Sequence, residues 1–521
     1  MPNFIPYNYD QSAMVVINFK DQLQPGTFEY ALHHLVENKL DLSVFYTHYK
    51  NEGVGRSAYD PAILLKIILF AYSKGIKSSR EIQWCCENNI IFKALSCDTV
   101  PHFTTIAAFV SEHPEEIEAI FEQIVLICDQ EGLLGKELFA IDGCKMTSNA
   151  SKEWSGTLKE LEEKRNKIKW QITHHLQEHK RTDKSEARDE EKRKRSEQAI
   201  ETLNKAFDKI DNFLKSASPR MGQGKRPKEV KSNITDNESC KMTTSKGTLQ
   251  GYNGIATADK KHQVIVDASI FGEGQEHHTL VPILEKVKQR FSNLKLSKDI
   301  YKSGTIVTAD TGFANESNNK YLHEHKIDAY IPDNKFRSRD PKFADQKTKY
   351  GKRHQAKQKK NKTTTIAASE FTHNPTDKTC TCPAGHGMWL RSESTDNNGN
   401  HKQFFEGCIT HCRTCSLKHR CMRNPEAADR RKGHGRQVSF IIEREKRPNY
   451  TDWMKARIDS DKGKLIYSHR MSVVEPVFGN IESNKRLDRF TLRGKKKVQG
   501  QWCLYCMVHN IEKLANYGEL A

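Results

Sequence analysis

The chain has 521 residues and a formal net charge of +18, from 84 Lys and Arg against 66 Asp and Glu. That length accommodates two to four domains, and a pI near 9.1 favours an acidic polymer as partner, since Lys and Arg gain affinity by releasing counterions from phosphates. No apolar run approaches the roughly 20 residues of a membrane span, and MPNFIPYNYD lacks the regions of a secretory signal, so a cytoplasmic protein is expected, its 14 Cys serving as thiols or metal ligands rather than disulfides.

Residues 28 to 125 read as helical. Asp60-Pro61 pairs an N-cap acid with Pro at the first helical position. Leu64, Ile67, Ile68 and Ala71 then recur at the spacing of a buried helix face, and Gly75 ends it. A second helix starts near Ser78/Ser79, with Cys85 and Cys86 as core thiols, and a third covers HFTTIAAFVSEH before Pro114. Short helices with tight turns suit a helix-turn-helix-like DNA-binding domain over 1–130; a plain helical packing domain is the alternative.

A strand over about 137–146 dominates the segment 131–150. The charged insert 151–232 places Leu158, Leu161, Ile168 and Ile172 against Ile200, Leu203, Phe207 and Ile210, which predicts an antiparallel helical hairpin. The basic connector GQGKRPKEVKSN follows it. Over 233–333 the pattern becomes α/β: GYNGIATAD and HQVIVDASIFG pair as strands across DKKH, HHTLVPILEKVKQRFSNL is an amphipathic helix, TIVTA is a buried strand, NESNNKYLHEHK a short helix and DAYIPD another strand. The fold class expected is α/β: a mixed sheet with flanking crossover helices, as in an RNase H-like core.

Residues 334–445 form a basic and cysteine-rich insert. Its first part, 334–363, cannot build a core and is expected to be disordered or ordered by DNA. Cys412-x2-Cys415 has metal-knuckle spacing, with Cys421 close behind and Cys382 as fourth ligand. Four thiolates around a structural Zn²⁺ would staple a small zinc-ribbon-like segment; Cys380, Cys408, His386 and His411 are spare ligands. Cys503-x2-Cys506 reads as core. Over 446–521 the chain returns to helix, and Val474, Val477, Phe478 and Ile481 form an apolar stripe that presents Glu475, Gly479, Glu482 and Arg486 along its border. Pro476 is expected to open or kink this helix.

Three acids stand out against this background. Asp142 ends the strand LFAIDG, Asp310 ends TIVTADTGF, and Glu475 borders the C-terminal stripe. A sheet fixes a carboxylate at its edge, where Mg²⁺ can keep its waters and reach phosphate oxygens, and two such ions would clamp both oxygens of a phosphodiester exchange. Asp267 in VIVDAS ranks lower because no turn residue follows it. The strip SNKRLDRFTLRGKKK beside Glu475 would suit a DNA backbone.

On these residues the chain resembles a DDE-type transposase of bacterial insertion sequences, in the group with a cysteine-rich insert ahead of the last acid. The motifs run in order over most of its length: YDPAILLKIILFAYSKGIKSSREIQ, PHFTTIAAF, FAIDGCKM, TDNESCKM, GYNGIATAD, VTADTGF, CPAG with CRTCSLKHRC, and YSHRMSVVEPVFGNI. The resemblance implies that Asp142, Asp310 and Glu475 are a catalytic triad binding two Mg²⁺, with Mn²⁺ as a substitute. It also implies a nucleoid-associated cytoplasmic protein that binds double-stranded DNA at terminal inverted repeats and target sites, as a homodimer. Tyr467 and Arg470 match the family's Tyr-x2-Arg...Glu...Lys signature as DNA contacts, and Arg486, Arg489 and Arg493 extend that basic strip. One extra residue separates Arg470 from Glu475, and Glu482 stands where Lys is expected, with Lys485 the nearest replacement. Two rival readings are a structure-specific nuclease without strand transfer and a non-enzymatic zinc protein that binds DNA.

Overall fold

The computed structural model describes residues 16–49, 57–182, 190–222, 227–244, 247–343, 365–396, 399–430, 433–444 and 449–519. The N-terminal MPNFIPYNYD, part of the connector after the helical hairpin, and 344–364 of the basic insert lie outside the described residues. Two compact units result: Met1–Asn334 with Met454–Ala521, and Lys335–Trp453.

The first unit opens with six helices: α1 Phe28–Asn38, α2 Pro61–Ser73, α3 Ser79–Asn88, α4 Ile90–Ser96, α5 Phe103–Glu112 and α6 Pro114–Gln130. Asp60 caps α2 by accepting from the Ala62 N–H at 2.8 Å. The helix is buried nearly all round, including Lys66, whose ammonium meets Glu37 at 2.7 Å. Gly75 ends the segment at φ +74°, a conformation costly for residues with a Cβ. Helix α4 was not foreseen; Asn89 starts it by accepting from the Ile91 and Phe92 N–H groups.

The sheet follows. Its strands are β1 Leu138–Thr147, β4 Cys240–Thr244, β5 Gly247–Asp259, β6 Ile265–Phe271, β7 Ile306–Ala309 and β8 Ala329–Tyr330; β2 Ser155–Gly156 and β3 Ser232–Asn233 form a separate small ribbon. β5 pairs antiparallel with β1 along one edge, and with β4 and then β6 along the other. β7 and β8 run parallel to β1. The spatial order is therefore β6-β5-β1-β7-β8, with β4 prolonging the β6 edge. Between β2 and β3 lie two helices, α7 Leu158–Thr182 and α8 Glu190–Ser216, packed on Leu161, Ile168 and Ile210. Helices α9 Leu280–Asn293 and α10 Glu316–Glu324 supply the crossovers. Asp267 is a structural acid: with Glu118 and Glu122 of α6 it surrounds the buried Arg290 guanidinium of α9.

Three helices complete the unit: α11 Tyr450–Asp459, α12 Asp461–Gly479 and α13 Lys495–Tyr517. Side chains are buried on every face of α13, the pattern of a core helix. Trp502 donates its indole N–H to the Ile255 carbonyl at 3.2 Å, and Tyr505 stacks on Tyr72 at 4.5 Å. The N-terminal helices and the sheet thereby share one apolar core. Helix α12 neither starts nor breaks at Pro476; it runs through it. Proline lacks the N–H that would meet the Ser472 carbonyl, and the Gln263 side-chain amide donates to that carbonyl at 3.0 Å instead.

The second unit is an antiparallel sheet in the order β13-β12-β11-β10-β9, from β9 Thr372–Asn374, β10 Thr379–Thr381, β11 Gly387–Thr395, β12 Asn400–Cys408 and β13 His434–Arg444. Its core is small: Ile366, Phe371, Cys380, Met388, Phe405 and Val438. Among the described residues no helix is long and apolar enough to cross a membrane.

Candidate active site

β1 and β7 lie side by side, in register as far as Ile141 against Ala309. The next residue on each strand is an aspartate, so the parallel pairing alone sets Asp142 and Asp310 at neighbouring positions. Asp142 accepts from the Gly143 N–H at 2.9 Å and from Arg470 of α12 at 2.7 Å. Burial pushes its carboxyl up to about 6, although Arg470 and the Gly143 N–H pull it down; the Asp310 and Glu276 carboxylates push it up further. Asp310 precedes the turn Thr311–Phe313 without capping it through its side chain. A turn-forming role therefore does not account for this acid.

Glu276 was not foreseen. It sits in a turn before α9, 3.5 Å from the Lys145 ammonium. A Cβ on Gly312 would lie 2.0 Å from its Oε2, so the glycine of TADTGF leaves room for this carboxylate. GEGQEHH carries no strand-end or helical spacing that would single Glu276 out.

Glu475 lies on α12, which packs across β1, β5, β7 and β8. Gly463, Arg470, Val473, Val474 and Val477 are its buried residues, and Glu475 is exposed. Five residues after Arg470, it stands about 140° around the helix and about 7.5 Å along it. The field raising Asp142 comes from Asp310 and Glu276. Burial, together with the facing carboxylate of Glu482, holds the Cys144 thiol well up.

The residues expected along DNA divide into two groups. Arg470 is buried on Asp142, and Lys485 is buried against Glu512 and Asn480 because the π-helical turn Asn480–Asn484 after α12 folds it inward. Arg486, Arg489 and Arg493 are exposed; Arg489 donates to the Asn149 side chain at 2.9 Å and Arg493 to its carbonyl at 2.7 Å. Tyr467 is half-buried on α12.

In the second unit Cys382, Cys412, Cys415 and Cys421 line one cavity of ≈ 30 Å³, with His386, Cys408 and His411 at its wall. Burial raises the Cys421 thiol; Arg436 opposes this, and Cys412, Cys415 and Cys382 add to it. A Cβ at position 435 would stand 2.7 Å from the Cys412 sulfur, so Gly435 makes the approach possible. Cys408 is occupied with the Thr410 hydroxyl at 2.9 Å. The donor set suits Zn²⁺. Its sulfurs are gathered without being closed to metal spacing: among the described residues, only His48, His113 and Glu116 bring three ligand atoms within 4.8 Å of one another.

Residues 17–112 match the family model described as a transposase domain (DUF772), and residues 381–515 match the model described as a transposase DDE domain. No curated protein and no solved structure matches the chain. The first match covers most of the N-terminal helices. The second takes in the cysteine cavity, Arg470 and Glu475, and the paired aspartates lie between the two. Transposase models thus match on both sides of that centre, and they support a DDE-type insertion-sequence transposase.

Proposed function

We propose that this transposase cuts DNA at the terminal inverted repeats of its own element and joins the ends to target DNA, using Asp142, Asp310 and Glu475 on an RNase H-like core. The observation that carries the reading is the pairing of Asp142, within β1, with Asp310, just past the end of β7, where the Asp310 carboxylate adds to the rise that burial causes at Asp142 and a cation would relieve it. The strand order, three antiparallel then two parallel, supports the core assignment. Oxygen donors alone suit Mg²⁺ or Mn²⁺. Asp142, Asp310 and Glu475 would hold such ions.

Bound there, Mg²⁺ supplies Lewis-acid charge for the attacking and leaving oxygens of an in-line displacement. Arg470 holds Asp142 in one orientation, and exposed Arg486, Arg489 and Arg493 follow the phosphates. In the first reaction a water oxygen bonds to phosphorus and the 3′ oxygen leaves as a hydroxyl. In the second, that 3′-OH attacks a target phosphodiester, whose own 3′ oxygen leaves. Helices α3 to α5 read the repeats, a homodimer holds two ends together, and a Zn²⁺ on Cys382, Cys412, Cys415 and Cys421 is structural. Glu276 is the rival third acid, because its field reaches Asp142.

Labelled end DNA incubated with the protein, Mg²⁺ and a target plasmid tests this. Joined products are expected. Cut ends alone would leave a nuclease, and bound but uncut DNA would leave a zinc DNA-binding protein.

A further inference from the structure

We infer a second metal site, for Zn²⁺ or a cation of similar softness, formed by His48, His113 and Glu116 on the N-terminal helices. None of the three belongs to the carboxylate centre or to the cysteine cavity. His48 ends a short 3-10 helix, Ser43–His48; His113 is the single residue joining α5 to α6; and Glu116 lies in the first turn of α6. Their ligand atoms lie within 4.8 Å of one another. The Glu116 carboxylate turns one oxygen to His48 Nε2 at 2.7 Å and the other toward His113 Nδ1 at 3.9 Å. The two imidazoles meet edge to face at 4.6 Å.

An ion pair between His48 and Glu116 explains only part of this. His113 Nδ1 is buried and has no hydrogen-bond partner, a destabilising state for a polar atom. Phe45 and Phe109 pack against the same ring at 5.6 and 5.3 Å and hold it in place. A cation among the three would take up that nitrogen. Two imidazoles and a carboxylate are a Zn²⁺ donor set with bond lengths of about 2.0–2.2 Å, which sets tetrahedral donors roughly 3.3–3.6 Å apart; the 2.7 Å pair would open and the 3.9 Å pair close to reach that spacing. Mg²⁺, which prefers oxygen donors and water, is a poor fit. His48 is 44% exposed, so the fourth position opens to solvent. Such a site ties the 3-10 helix to the α5–α6 joint.

The full-length chain, stripped with a chelator and dialysed against Zn²⁺, tests the site by metal analysis. Two zinc ions per chain are expected, one on the cysteines and one here. His48→Ala and Glu116→Gln should each lower the count by one or weaken that ion at least about 10-fold, while Cys412→Ser removes the other. Co²⁺ loaded into Cys412→Ser should give a visible spectrum without a thiolate band, and His48→Ala should abolish it. Because His48 is exposed, its replacement leaves the fold intact. Equal zinc content and affinity in wild type and His48→Ala would overturn the site.

Discussion

At the scale of single residues, the centre is set by charges that do not suit one another. Asp142 rises from 3.8 to about 6 through burial, offset by Arg470 and the Gly143 N–H, with Asp310 and Glu276 adding to the rise. A carboxyl whose folded value is raised contributes stability that is complete below its unfolded value and lost as pH climbs through the folded one. The window is therefore about pH 4 to 6, and a rise of that size is worth at most roughly 3 kcal/mol. In divalent-free buffer, the stability difference between wild type and Asp142→Asn should shift against wild type by up to that amount between pH 4 and 8. Denaturant melts at a series of pH values check it, and a flat difference would remove the electrostatic account. Asp310 was legible because a strand-end acid leaves a pattern in the chain; Asp142 was legible from the apolar run before it, but it does not end its strand, since β1 continues to Thr147. Glu276 was not, since its place depends on the absence of a Cβ at Gly312, a contact between segments far apart in sequence.

At the scale of elements, most helices and strands follow from capping and periodicity, and the exceptions have local causes. The segment at α4 is too short for its period to be read, and Asn89 resembles any loop residue until its side chain is seen to cap. The strands of the second unit carry polar residues on much of their surface, as in GMWLRSEST, so alternation does not reveal them. Pro476 misleads because its helix is continued by a partner at Gln263, over two hundred residues away. That compensation predicts coupling. Gln263→Ala should destabilise by about 0.5–1.5 kcal/mol, and less in a Pro476→Ala background, where a backbone N–H again meets the Ser472 carbonyl. A double-mutant cycle by chemical denaturation reads the difference; strict additivity would show that the carbonyl does not need the amide.

At the scale of the whole molecule, the N-terminal helices and the sheet share a core through α13. The reason lies in that helix, which is buried on every face and needs partners on both sides. Deleting residues 1–130 should uncover Tyr505 and its neighbours as a large apolar patch. The truncated chain is expected in the insoluble fraction, and a soluble, cooperatively melting product would contradict the shared core. The last acid is the place where sequence and packing ask different questions: the motif points to Glu475, and the field at Asp142 points to Glu276. The most direct measurement is Mg²⁺-dependent cleavage and joining of end DNA by Asp142→Asn, Asp310→Asn, Glu475→Gln and Glu276→Gln, each with binding to the same DNA measured alongside. The account predicts that the first three bind DNA and yield no cut or joined product, while Glu276→Gln retains both activities at reduced rate. Cleavage by Glu475→Gln at the wild-type rate, with none by Glu276→Gln, would contradict it.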